Sequence, residues 1–167
     1  MTYKPIWSRF VALALLGAVV AAIFALSSQP FKAQTIQPFL QKNLSVQTAE
    51  RVLPHLDIRY DGHEYRSDAN PLGLIEFLFR KGAHMFVYGV LAAAAALALR
   101  MYRLPLPAVA GLSLAAVFLV AMLDEWNQRF SQDRTPAFQD VLVDLTGGAI
   151  SLLLCYGISR LYRRLRR

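Results

Sequence analysis

The chain has 167 residues, of which 56% are apolar and 17% are charged, and its formal net charge is +7. A composition this apolar excludes an ordinary soluble domain and indicates a single membrane domain covering residues 1–167. The positive charge does not indicate a nucleic-acid-binding protein, because the Lys and Arg residues stand beside apolar runs instead of clustering on a polar face.

Four uncharged runs, each near the roughly 20 residues that cross a bilayer as helix, predict four membrane spans. Their predicted bounds are 10–26, 82–99, 104–123 and 141–162. The first run could instead be a cleaved signal peptide, since Lys4 and Arg9 precede it, but its apolar core is long for that role. The predicted fold class is an all-α membrane protein with four transmembrane helices. A small extracytoplasmic segment, residues 27–81, joins the first two.

The charges are distributed along the chain in a way that predicts its orientation. Every Asp and Glu lies between Ser27 and Gly82 or between Leu123 and Gly147. The opposite flanks of the spans carry basic residues and no acids, ending in the arginine-rich tail RLYRRLRR. The positive-inside rule therefore predicts that both termini are cytoplasmic and that the acidic side is external. The tail is interpreted as a topology anchor that also contacts anionic lipid.

Three local signals predict the structure of residues 27–81. Apolar residues recur at helical spacing between Ile36 and Leu53, which indicates a helix lying on the membrane surface. The alternating segment LDIRYDGHEYRS surrounds Asp61-Gly62, a dipeptide that favours a tight β-hairpin turn. Asn70 and Pro71 form a favourable helix start, so the second helix is predicted to run from about Pro71 to Arg100.

Polar residues on the second helix follow a helical period. Lys81, His84 and Tyr88 are spaced i, i+3 and i+7, so they form one stripe that faces one partner surface. Glu76 and Arg80 lie four residues apart on the adjacent flank and are predicted to form an ordinary helical ion pair.

The third and fourth spans add acids on the same side of the membrane. The third ends in LDEWNQRF, the connecting loop contains Arg134, and Thr135-Pro136 resembles a capped helix start. Carboxylates at this depth need a bundle interior, water or a cation beside them, whereas Gly147 and Gly148 indicate close helix packing. The predicted outer cluster, drawn from three helix ends, consists of Lys81, His84, Tyr88, Asp124, Glu125, Gln128, Arg134, Asp140 and Asp144.

These segments resemble the VanZ-like family. The matching pattern is RKGAHMFVYG, then LDEWNQRF, then an arginine followed by QDVLVDLTGG, and Ser27-Ser28-Gln29-Pro30 also fits. The sequence departs from the family where Asp144 replaces the usual Asn and where Gln-Asp precedes Arg134 in place of a Pro-Gly turn. The family is named for a protein associated with low-level resistance to teicoplanin. The resemblance implies a bacterial plasma-membrane protein of the cell envelope and specifies no reaction.

Three function hypotheses are compatible with the outer cluster. It could bind an envelope lipid, a cell-wall lipid precursor or a lipoglycopeptide antibiotic and so contribute to resistance. It could be a membrane-embedded enzyme, with His84 as general base oriented by Asp124 or Asp140, Glu125 as second acid, and Lys81 with Arg134 holding a phosphate. It could also be an ion-pair network that holds three helices together.

Other chemistries fit the sequence less well. A metal site is not expected, because the spans contain one His and no ligand motif such as HExxH. No cofactor and no nucleic-acid partner is expected, and the expected partners are membrane lipids. A proton-coupled transporter is a further alternative, but four spans that contain no internal repeat are a small frame for one.

Overall fold

Four long apolar helices form the frame of the protein. The computed structural model describes residues 6–130 and 137–166. The four helices are α1 (Ile6–Ser27), α5 (Pro71–Arg100), α6 (Leu106–Gln128) and α7 (Phe138–Leu165), and each is long and apolar enough to cross a membrane. The predicted fold class, an all-α membrane protein with a small sheet between the first two spans, is confirmed.

Helix α5 lies at the centre of the bundle and packs against α1, α6 and α7. Its 30 residues extend about 45 Å at 1.5 Å per residue, which exceeds the roughly 30 Å of hydrocarbon. The helix begins as predicted, with the Asn70 side chain accepting a hydrogen bond of 2.9 Å from the Gly73 N–H. Its first turns therefore carry polar residues above the apolar core of the bundle.

That core is formed by buried residues from all four long helices, among them Ile23, Leu91, Val117 and Val141. Helices α5 and α7 approach closely at Gly147, where an added Cβ would lie 2.6 Å from the Met85 Cα. No side chain fits at that distance, so glycine is required for the approach.

The segment between α1 and α5 contains three short helices where the sequence predicted one surface helix. These are α2 (Phe31–Gln34), α3 (Gln37–Asn43) and α4 (Val46–Val52). The chain is extended at Thr35 and at Leu44, and Ser45 caps α4 by accepting from the Thr48 N–H. Leu40 of α3 and Ala49 of α4 pack together against Leu72 of α5. The apolar residues therefore share one buried side despite the breaks, and their helical spacing alone did not reveal where the helix is interrupted.

The predicted hairpin is confirmed. Strands β1 (Asp57–Tyr60) and β2 (His63–Arg66) pair antiparallel, with Tyr60 opposite His63. Asp61 and Gly62 both have positive φ, 48° and 74°, as a two-residue turn of this type requires.

Among the described residues, α7 begins at Phe138, and its N-cap residue is Ala137, which offers no capping side chain. The predicted helix start at Thr135-Pro136 lies outside the described part of the chain.

Candidate functional site

The described members of the outer cluster come from α5, α6 and α7. One stripe on α5 contributes Lys81, His84 and Tyr88. One stripe on α7 contributes Asp140 and Asp144, and the end of α6 contributes Asp124 and Gln128. Glu125 lies beside them on α6, and Arg134 falls outside the described residues.

Lys81 and Tyr60 share one carboxylate oxygen of α7. The Lys81 Nζ forms an ion pair with Asp140 Oδ1, and the Tyr60 hydroxyl donates to the same oxygen. The Lys81 Nζ also lies 4.2 Å from the centroid of the Tyr60 ring, a cation–π contact. Burial, followed by the hydrogen bond to Asp140, raises the pKa of Tyr60, so its hydroxyl remains a donor at neutral pH.

The hairpin is thereby fixed to the start of α7. Besides the Tyr60 bond, the Asp61 N–H donates to Gln139 Oε1 at 2.9 Å. On the second strand of the hairpin, the Tyr65 ring stacks on the Phe77 ring of α5 with ring centroids 4.1 Å apart. The hairpin therefore forms one wall of the cluster.

One turn deeper, His84 pairs with Asp144. The His84 Nδ1 lies 3.2 Å from Asp144 Oδ1, and the Asp144 side chain is 1% exposed. A carboxylate acceptor at this position selects the tautomer protonated on Nδ1 and leaves Nε2 available for other partners. Among the described residues, no hydrogen-bond partner reaches Asp144 Oδ2.

The deepest part of the cluster contains Tyr88 and Asp124, each 2% exposed. Asp124 is a close charged neighbour of the Tyr88 hydroxyl, yet within the described ranges no hydrogen bond of 3.5 Å or less reaches that hydroxyl or Asp124 Oδ1. Gln128 Nε2 donates to Asp124 Oδ2 at 3.3 Å. Buried polar atoms are normally paired, and because the Tyr88 and Asp124 side chains are neighbours, a single bridging water is enough to pair both atoms.

Glu125 contacts the start of α7. Its Oε2 accepts a hydrogen bond of 2.9 Å from the N–H of Ala137, the N-cap residue of that helix. A carboxylate is favourable near a helix N-terminus, so Glu125 stabilises the start of α7.

The predicted Glu76–Arg80 ion pair is absent. Glu76 Oε1 instead accepts from the Thr35 hydroxyl at 2.6 Å and from the Ile36 N–H at 3.2 Å. The Arg80 guanidinium lies over the Phe31 ring, 4.4 Å from its centroid. The break between α2 and α3 supplies these partners, and a helical spacing rule could not reveal them.

Two cavities meet at Arg80 and His84. The outer cavity, about 390 Å³, lies beneath the hairpin and is lined by polar residues that include Tyr60, Lys81 and Asp140. The lateral cavity, about 330 Å³, lies between α1 and α5 and is lined mostly by apolar side chains. Volumes of this size suit small ligands, and the junction offers both polar and apolar surfaces.

A family model described as VanZ/LLP1 matches residues 11–161. The chain belongs to the VanZ/LLP1 family. The matched range contains the whole outer cluster and parts of all four long helices. No curated protein and no solved structure matches the chain.

In this VanZ/LLP1 protein the cluster is suited to binding and to proton transfer. His84 presents one ring nitrogen beside both cavities while Asp144 orients the other. Over residues 6–130 and 137–166, no group of three His, Cys, Asp or Glu side chains could hold a metal ion.

The enzymatic hypothesis needs a correction. It assigned the orientation of His84 to Asp124 or Asp140, but Asp140 pairs with Lys81 and the residue that contacts His84 is Asp144. Lys81 is therefore already paired and is not a free phosphate ligand.

Two residues at the site escaped the sequence analysis. Tyr60 precedes the hairpin turn, and the alternation marked it only as a strand residue, although it contacts Asp140 some 80 positions later. Arg80 was assigned to a local pair, although it lines both cavities. Its position next to Lys81 and one turn before His84 was the available signal.

Proposed function

We propose that this VanZ/LLP1 protein binds a lipid-bearing molecule of the bacterial envelope at the outer cluster, and that this binding contributes to resistance against a lipoglycopeptide such as teicoplanin. The bound molecule would be an envelope lipid, a cell-wall lipid precursor or the antibiotic itself. Charge segregation along the chain supports placing the cluster outside the plasma membrane, with both termini in the cytoplasm.

One observation carries this proposal. The surface of the lateral cavity is mostly apolar, and Arg80 and His84, which line it, also line the polar outer cavity. An amphiphilic ligand satisfies both parts, since its chain contacts the apolar wall and its polar group reaches Arg80 and His84 where the two cavities meet.

The test is teicoplanin susceptibility of a susceptible host that expresses the wild-type protein or His84→Gln. We expect the wild type to raise the inhibitory concentration and His84→Gln to abolish most of that increase at equal membrane abundance. His55→Gln is the matched control, because His55 is exposed and lies outside both cavities. Equal protection by the wild type and His84→Gln would contradict the proposal.

A second function, acid–base catalysis on a lipid-linked substrate, is favoured by the His84–Asp144 pair. A histidine oriented by a buried carboxylate, with its second nitrogen beside a ligand cavity, is the arrangement of a general base. Purified protein would be incubated with lipid-linked cell-wall precursors and the products analysed by mass spectrometry. Precursors left unaltered by folded wild-type protein would exclude this function.

A further inference from the structure

The lateral cavity contains a hydrocarbon-like wall and a polar rim. Its apolar lining comes from both helices, with Ile23 and Leu26 on α1 and Phe79, Ala83 and Val87 on α5. Leu26 and Phe79 are 49% and 59% exposed, so the cavity opens at the lateral surface of the bundle between α1 and α5. A lipid chain can enter from that side along these two apolar side chains.

Arg80 stands where the lateral cavity meets the outer cavity. Its guanidinium rests on the Phe31 ring, and within the described residues it forms no ion pair of 4.0 Å or less. Glu76 is the carboxylate whose charge acts most strongly on Arg80, but it lies beyond ion-pair distance and its Oε1 accepts from the Thr35 hydroxyl and the Ile36 N–H. Stacking on one face leaves the N–H edge of the guanidinium open for an anion.

The neighbouring charges restrict where an anion can bind. Lys81, the adjacent cation, is neutralised by Asp140. At the inner end of the lateral cavity, Asp124 would repel an anion. Arg80 is therefore the electrostatically favourable position for a negatively charged group whose chain occupies the lateral cavity.

We propose that the lateral cavity binds the hydrocarbon chain of a phosphate-bearing lipid, and that Arg80 binds its phosphate. This inference rests on the proposed function and specifies its ligand class. The planar guanidinium pairs with two phosphate oxygens at once, which a lysine cannot do. The remainder of the headgroup then extends into the outer cavity beneath the hairpin, beside His84.

The test measures lipid binding to the purified full-length protein by native mass spectrometry. The probe is phosphatidylglycerol, compared with diacylglycerol of the same chains, which lacks the phosphate, and with inorganic phosphate, which lacks the chains. We expect phosphatidylglycerol to bind at least about tenfold more tightly than diacylglycerol, since only its phosphate can accept a charge-assisted hydrogen bond from the guanidinium. Inorganic phosphate should not displace it at equal concentration.

Two variants address the two halves of the site. Arg80→Gln should weaken phosphatidylglycerol binding about tenfold or more, and Arg80→Lys should restore part of it. Ala83→Trp should reduce lipid binding, because the indole ring fills the lateral cavity. The folded protein can accommodate this larger side chain because position 83 is exposed. The matched controls are Arg129→Gln, on an exposed arginine over Trp126, and Ala115→Trp, on an exposed α6 position; both should bind as the wild type does.

Wild-type affinity in Arg80→Gln, or equal binding of diacylglycerol, would overturn the phosphate assignment. Wild-type affinity in folded Ala83→Trp would overturn the assignment of the chain to the lateral cavity. These failures leave the proposed function standing if His84→Gln still abolishes protection. Conversely, Arg80-dependent lipid binding without any effect of His84→Gln on susceptibility would refute the resistance function alone.

Discussion

His84 on α5 and Asp144 on α7 lie 3.2 Å apart, Nδ1 to Oδ1, where the VanZ-like pattern usually has an asparagine in the last span. Either a carboxylate or an amide oxygen can accept from the His84 N–H. An amide at this position can therefore keep the hydrogen bond between α5 and α7 without the negative charge.

We accordingly expect Asp144→Asn to accumulate like the wild type, and Asp144→Leu to unfold at a lower temperature. The leucine leaves the buried His84 nitrogen without its partner, a loss of about 1–3 kcal/mol. Thermal unfolding in detergent measures the difference, and Asp68→Asn on the exposed outer segment is the control. An Asp144→Asn protein as unstable as Asp144→Leu would show that the charge itself is required.

The Lys81–Asp140 pair tests whether the cluster also holds the helices together. Lys81→Met removes the cation beside Asp140, whose side chain is 13% exposed. We expect this variant to destabilise the protein by about 2 kcal/mol, because the Asp140 carboxylate is then buried without its cation. The double variant Lys81→Met with Asp140→Asn should lose less than the sum of the two single variants. Chemical denaturation measures all three proteins. Strict additivity would mean that the two groups do not interact.

Gly147 is expected to be intolerant of any side chain. Gly147→Ala would place a methyl group 2.6 Å from the Met85 Cα and force α5 and α7 apart, at a cost of about 1–3 kcal/mol. Gly157→Ala is the matched control on the same helix, since nothing lies within 4 Å of its Cβ position. The unfolding midpoint should fall for the first variant only, and equal midpoints would contradict the close approach.

Tyr60→Phe tests the attachment of the hairpin to α7. The variant keeps the ring that contacts Phe77 and removes the hydroxyl that donates to Asp140, so we expect about 1 kcal/mol of local destabilisation. Limited trypsin digestion after Arg59 and Arg66 should become about fivefold faster, since local opening of the hairpin exposes the peptide bonds that follow these two arginines. Tyr65→Phe is the control. Unchanged cleavage in Tyr60→Phe would show that the hydroxyl does not secure the hairpin.

Local signals in the sequence were sufficient for the elements but not for the pairing of their side chains. The Asn70-Pro71 helix start and the Asp61-Gly62 turn are encoded within a few residues, and both are confirmed. The breaks around α3 depend on contacts with α5, such as that between Ile36 and Glu76, so helical spacing could not reveal them.

The outer cluster shows the same division. The stripe of Lys81, His84 and Tyr88 was predictable from helical spacing. Which carboxylates lie beside it depends on the stagger and rotation of three helices: Asp140 and Asp144 pair with Lys81 and His84, and Asp124 lies next to Tyr88. Those quantities are fixed by long-range packing, including the Gly147 approach, and no short motif encodes them.

The proposed orientation predicts which positions face the outside of the cell. In a Cys155→Ser background, His55→Cys on the outer segment should react with a membrane-impermeant maleimide in intact cells, whereas Arg164→Cys in the arginine-rich tail should react only after permeabilisation. Both positions are exposed in the folded protein, so access depends on the membrane and not on burial. The orientation is inferred from the basic residues that flank the spans. Labelling of Arg164→Cys in intact cells would show that the true orientation is the reverse, with the outer cluster in the cytoplasm.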